Sequence, residues 1–172
     1  MKKFLTLALS AVMTLTLLAG CGDSGTPAGS GSAAPAGGDL IFTTGGGTGT
    51  YYAFGGVIAQ GVTANTPTTV TAISSDGSKA NVLLLKSGDA QLGFCQSDVM
   101  AYAYNGTSTF ADTGAYTEFS TVANLYMEQV QIVTCDPDIK TVADLAGKKV
   151  SVGAAGSGVY FNAVDILSAY GL

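Results

Sequence analysis

The chain has 172 residues, enough for one modest hydrophobic core, and carries seven Lys, no Arg and twelve Asp plus Glu for a net charge of −5. A surface of that sign suits nucleic acid poorly, and the absence of His and Arg removes the usual general base and the usual bidentate carboxylate clamp. Its three Cys, with no His beside them, offer no zinc-type ligand spacing, and no cofactor is expected.

Residues 1–20 have the order of a targeting segment: Lys2-Lys3, an apolar stretch from Phe4 to Leu18, then small residues at Ala19-Gly20 before Cys21. The run is short for a bilayer span. Cys21 in this setting resembles the lipidated Cys of a bacterial lipobox; an ordinary secretory signal with an incidental Cys is the alternative. Residues 21–38 are almost entirely Gly, Ser, Ala, Pro and Thr, a composition that buries nothing and behaves as a flexible tether. The expected product is a domain held at the outer face of a membrane through lipid on Cys21. Without Lys2 and Lys3, five basic residues face the twelve acidic ones.

From Asp39 onward, strand-like and helix-like segments alternate. Leu40 to Thr43 predicts a strand, and Tyr51 to Ala64 a helix with Phe54, Val57, Ile58, Gly61 and Val62 on one face. Thr69 to Ile73 predicts a second strand, Ser74 to Ser78 a polar loop, and Lys79 to Lys86 a helix. Ala90 to Cys95 predicts a third strand, followed by a helix from Ser97 to Tyr104. Three strand–helix pairs imply an α/β fold with a parallel sheet and right-handed crossovers. Asn105 to Phe119 is a polar loop. Thr121 to Tyr126 and Gln131 to Cys135 are strand-like, Thr141 to Leu145 a short capped turn, and Lys149 to Val152 a further strand. Cys95 and Cys135 could pair outside the cytoplasm, or stand as small buried thiols at strand ends.

One pattern occurs twice: Gly47-Thr48-Gly49-Thr50-Tyr51-Tyr52 and Gly156-Ser157-Gly158-Val159-Tyr160-Phe161. Each follows a strand-like run and opens a helix-like one, so each aims free backbone N–H groups and a hydroxyl at an anionic small molecule. Thr48, Thr50 and Ser157 are the candidate hydroxyl donors, and Tyr51 and Tyr160 the candidate cleft walls. Ser78, Gln96 and Ser97 join them from the second and third strand ends, because open α/β sheets bind ligands there. The plainer readings are tight turns for the glycines, core packing for the tyrosines, an N-cap for Ser97 and a dipole partner for Asp98. Neither loop ends in Gly-Lys-Ser/Thr or fits G-x-G-x-x-G, and a serine nucleophile would have no His, so an enzyme is not expected.

Three blocks carry a resemblance: Phe42 to Tyr52, Leu85 to Asp98, and Ile139 through Gly158. Together they resemble the solute-binding subunits of TAXI-type TRAP transporters, over Leu40 to Leu172. The resemblance implies a type II periplasmic-binding-protein fold of two lobes, with residues 39–135 as the first lobe and 136–172 as the start of a second, incomplete one, since complete members run to about twice this mature length. It also implies an extracytoplasmic component that captures a small acidic or zwitterionic metabolite, such as glutamate, glutamine or an organic acid, and delivers it to ion-gradient-driven membrane permease subunits. A binding subunit of an ATP-driven importer or sensor, a non-transport surface lipoprotein and an inactive fragment are the alternatives.

Overall fold

A computed structural model describes residues 37–172; the expected signal segment, Cys21 and the expected tether up to residue 36 lie outside the described residues. The elements in chain order are β1 (Asp39–Thr43), α1 (Thr50–Asn65), β2 (Thr69–Ile73), α2 (Ser78–Ser87), β3 (Leu92–Gly93), α3 (Ser97–Asn105) and α4 (Gly158–Ala169). Short 3-10 turns stand at Ser108–Phe110 and Val142–Leu145. The sheet is parallel with order β2-β1-β3, in register Asp39 to Thr69 on one side of β1 and Phe42 to Leu92 on the other. The α/β class and the parallel sheet are as the alternating pattern predicts.

Alternation along β1 divides the core in two. Phe42 joins Ala59, Val70 and Phe94 in one cluster, with Leu40, Tyr51, Ile58 and Val62 packed around it. Thr43 points the other way, toward α2. There Val82, Val99, Ala103, Phe110 and Phe161 form a second cluster. Phe110 is fully buried although it lies in the stretch expected to be a polar loop; the 3-10 turn at Ser108–Phe110 folds its ring inward.

The buried face of α1 differs in part from the expected one: Ile58 and Val62 pack against the core as expected. Gly55 and Ala59 are its buried residues, while Phe54 and Val57 are 44% and 70% exposed. Size explains the rotation. The Thr44 methyl and the Phe94 ring lie against Gly55, so the helix comes close to the sheet only where it has no bulk. Phe54 instead meets the Tyr126 ring edge-on at 5.7 Å.

The strands expected at Thr121 to Tyr126, Gln131 to Cys135 and Lys149 to Val152 do not form. Strand propensity alone does not make a strand: the backbone needs a neighbour. Both sides of β1 are taken by β2 and β3, and these segments lie beside no other strand. Val122, Met127 and Val133 are 86%, 83% and 85% exposed. The capped turn is present as expected, with Thr141 and Asp144 forming a reciprocal capping box. Cys95 and Cys135 are free thiols, the first half-buried and the second exposed.

One side chain that the sequence reading passes over ties the strand ends together. Asn81 of α2 is fully buried. Its Nδ2 donates to the carbonyls of Thr44 at 2.6 Å and Phe94 at 2.7 Å. Its Oδ1 accepts from Thr43 Oγ1 at 2.7 Å and Ser75 Oγ at 2.5 Å. Every donor and acceptor position of the amide is used, and Gly93 leaves room for it: a Cβ there would lie 3.4 Å from that of Asn81. Replacing Asn81 by Ala removes all four bonds and leaves Thr43 Oγ1 and the Phe94 carbonyl without a partner, while Thr44 O and Ser75 Oγ keep each other, so we expect a loss of about 2–4 kcal/mol in urea denaturation. Asn81→Asp keeps the shape but puts a carboxylate against two carbonyls, and is expected to cost more than Ala at neutral pH. Equal stability of the wild type and the Asp variant would show the network to be unimportant.

Candidate functional site

Three parallel strands end at one edge, and β1 is the point where the chain reverses: its crossover runs to β2 on one side, and the next returns past it to β3. The crevice outside the carboxyl ends of such strands is where open α/β sheets bind ligands. The loop after β1 is held by backbone bonds from Ser75 N to Gly45 O at 3.1 Å and from Gly49 N to Gly46 O at 2.8 Å. Gly49 takes the N-cap position of α1 with no side-chain cap. The first intrahelical bond is Ala53 N to Gly49 O at 3.2 Å, so the N–H groups of Thr50, Tyr51 and Tyr52 precede the helical ladder. Gly47, Thr48 and Thr50 are exposed on this loop.

Tyr51 is half-buried and stacks on Phe94 with ring centroids 4.8 Å apart, joining the first turn of α1 to the end of β3. Its hydroxyl donates to Glu128 Oε2 at 3.0 Å. Burial first, and then the Glu128 charge, push the phenol well above the ordinary tyrosine range. Ser78 is buried, and its Oγ accepts from the backbone N–H of Gln96 at 3.1 Å, joining the second and third strand ends.

The second glycine loop lies against this edge. Gly156 O accepts from Lys79 N at 3.0 Å, taking up one of the free N–H groups at the start of α2. Gly77 has φ of +101°, and a Cβ on it would stand 3.1 Å from Ser157 Cα. Gly158 is buried, and a Cβ there would run into the side-chain amide of Gln96. Gln96 Oε1 is itself buried with no hydrogen-bond partner. Ser78, Gln96, Gly156, Ser157 and Gly158 are thereby linked through one set of contacts.

The two copies of the glycine pattern are not equivalent. In the second, Ser157 is the N-cap: its Oγ accepts from Tyr160 N at 3.1 Å and donates to Ala154 O at 2.7 Å. The helix thus starts one position earlier in the pattern than at Gly49. One residue turns a helix by about 100°. Phe161 consequently enters the core, and half-buried Tyr160 meets it edge-on at 5.3 Å. Ser97 is exposed, and Gln96 holds the N-cap position of α3. Asp98 Oδ1 accepts from Val99 N at 2.8 Å in the first turn, the dipole role expected of it, and its Oδ2 accepts from Asn162 Nδ2 of α4 at 2.7 Å. A second tie, Tyr102 OH to Asp165 Oδ2 at 2.9 Å, fixes α4 on α3. Sequence reasoning missed Glu128 and Asn162. Neither lies in a glycine pattern, and only tertiary contact gives them partners.

No group of three or more potential metal ligands occurs among the described residues. Cys95 is shielded, and burial pushes its thiol up to about 12. Cys135 is therefore expected to react with iodoacetamide at pH 8 well before Cys95, as read by peptide mass mapping. The folded thiol keeps its proton where the unfolded one loses it near pH 8.5, so this group's contribution to stability falls as pH rises from about 8.5 toward 12. For Gly158, Gly158→Ala is expected to cost about 1–3 kcal/mol through overpacking, and Gln96→Ala in the same chain to recover most of it. Additive effects in that double-mutant cycle would separate the loop from Gln96.

A family model described as the NMT1-like family matches residues 42–172, from within β1 through α4, and so includes every loop of the site. The family has a periplasmic-binding-protein-like fold, supports an extracytoplasmic solute-binding role with small-molecule ligands and membrane transporter partners, and is in general non-enzymatic. By that match over most of its length, the chain belongs to the NMT1-like family.

Proposed function

We propose that this chain is the extracytoplasmic solute-binding component of a TAXI-type TRAP transporter, anchored through lipid on Cys21 and capturing a small acidic or zwitterionic metabolite at the carboxyl edge of its sheet. The observation that carries the reading is the uncapped start of α1. There the N–H groups of Thr50, Tyr51 and Tyr52 precede the ladder, beside exposed Thr48 and Thr50 and the half-buried Tyr51. A carboxylate held this way needs no Arg, and the sequence has none. Gly47 and Gly49 let the backbone approach the ligand, and Ser78, Gln96 and Ser97 line the neighbouring strand ends. The Gly156-Ser157-Gly158 loop and Tyr160 form the opposing wall. In this reading residues 39–135 belong to a first lobe and 136–172 to the start of a second. The wall closes on the ligand before it is passed to permease subunits, and transport draws on an ion gradient.

Thermal melts of the chain with glutamate, glutamine, succinate and glutarate test the binding reading. A ligand at about a hundred times its dissociation constant is expected to add about 2.7 kcal/mol. Thr50→Pro, which removes one first-turn N–H at a position where Pro is tolerated, is expected to weaken that ligand while leaving the unliganded melt nearly unchanged. No stabilisation by any of the four would count against the reading. For the transporter class, uptake in cells is expected to collapse when the ion gradient is dissipated and to survive ATP depletion; the reverse would point to an ATP-driven importer.

A further inference from the structure

Glu128 lies outside both glycine loops, on the extended segment between α3 and the turn at Val142–Leu145, yet it is firmly placed. Tyr51 OH donates to one carboxylate oxygen at 3.0 Å and Tyr126 OH to the other at 3.4 Å. Behind these phenols stand further rings: Phe94 stacks on Tyr51 at 4.8 Å, and Phe54 meets Tyr126 edge-on at 5.7 Å. Glu128 itself is exposed, so an incoming group can reach it.

An exposed carboxylate held by two phenol hydroxyls is suited to an organic cation. The carboxylate supplies the charge, and the phenol oxygens beside it offer further acceptors. Among the described residues no ion pair reaches this corner. Lys79 lies over the Phe110 ring at 5.8 Å, Lys86 donates to Thr113 O at 2.8 Å, and Lys148 pairs with Asp136 at 3.2 Å, the one ion pair among the described residues. Because Tyr51 gives its proton to Glu128, its oxygen is left with lone pairs to accept a further donor. A second carboxylate brought here would meet like charge.

We propose that Glu128, flanked by Tyr51 and Tyr126, is a binding site for an alkylammonium group, so that the captured solute carries a protonated amine. This rests on the reading of the sheet edge as the ligand site. Tyr51 belongs to both halves. Its backbone is in the first turn of α1, where a carboxylate would be received, and its hydroxyl is on Glu128. A zwitterion fits that pairing of opposite ends, and a dicarboxylate does not.

Calorimetric titration of the full chain with matched pairs separates the possibilities: L-glutamate with glutarate, L-glutamine with glutaramate, and L-leucine with 4-methylpentanoate, each pair differing by the α-ammonium alone. We expect the amine-bearing member of at least one pair to bind at least tenfold more tightly. Glu128→Gln is expected to weaken it by about 10- to 100-fold, the equivalent of one charge-assisted contact, while the unliganded melt stays unchanged because the side chain is exposed. Tyr126→Phe keeps the ring and is expected to lower affinity only a few-fold. If the des-amino members bind equally well and Glu128→Gln leaves them unaffected, the ammonium site is wrong and the binding role stands. If no member of any pair binds, both fail together.

Discussion

A buried amide on α2 is the constraint on which the rest of the molecule depends. Where β1 and β3 run out beside α2, Asn81 bonds the Thr43 hydroxyl, the Thr44 and Phe94 carbonyls and, from the loop after β2, the Ser75 hydroxyl, all from one planar group. The geometry is stringent because both faces of the sheet are covered: water cannot substitute for a missing partner at Thr43 or Thr44, each fully buried. The loops that leave these strands inherit their positions from it. Ser75, bonded to Asn81, also accepts from Gly77 N and passes its own N–H to Gly45, so the first and second loops are fixed to each other.

Above that rigid layer the chain relies on backbone polarity and aromatic rings in place of charge. Charged residues are scarce in this sequence, and the described residues contain a single salt bridge, half-exposed, worth little on its own. The rings of Phe42, Phe94 and Tyr51 follow one another from the core to the sheet edge, the first pair tilted and the second stacked, each 4.8 Å apart. An apolar column of this kind keeps the edge dry on one side and lowers the local dielectric, which strengthens whatever hydrogen bonds form at its tip.

How much of this was legible in the sequence depended on range. β2 matched its predicted limits residue for residue, and the helices differed by one residue at each end or less, because periodicity and turn chemistry are local signals. Which face of α1 is buried was not local: hydrophobicity pointed to Phe54 and Val57, and the small residues Gly55 and Ala59 won because the sheet admits nothing larger. The segments after Tyr116 have the composition of strands, and composition cannot supply a neighbour. At the site, the glycine repeat located two of the loops, and the strand-end rule located Ser78 and Gln96. The repeat also suggested an equivalence that the Ser157 cap breaks. Asn81 was findable in principle, as a lone amide in the otherwise apolar stretch from Ala80 to Leu85, and Glu128 was not.

The stretch from Thr121 to Cys135 has no fixed partner along most of its length, although it joins the two parts of the domain. A protease cut within it would therefore leave two pieces, one ending after α3 and one carrying α4. These would still meet through Phe161 in the core, the Asp98–Asn162 and Tyr102–Asp165 bonds, and the Lys79–Gly156 backbone bond. The covalent link sets the effective concentration of one part near the other, and the side-chain contacts set their register. The chain is in that sense a tethered pair, in which most of the connection can drift in sequence as long as its length is kept, while the docking residues, Tyr126 and Glu128 cannot.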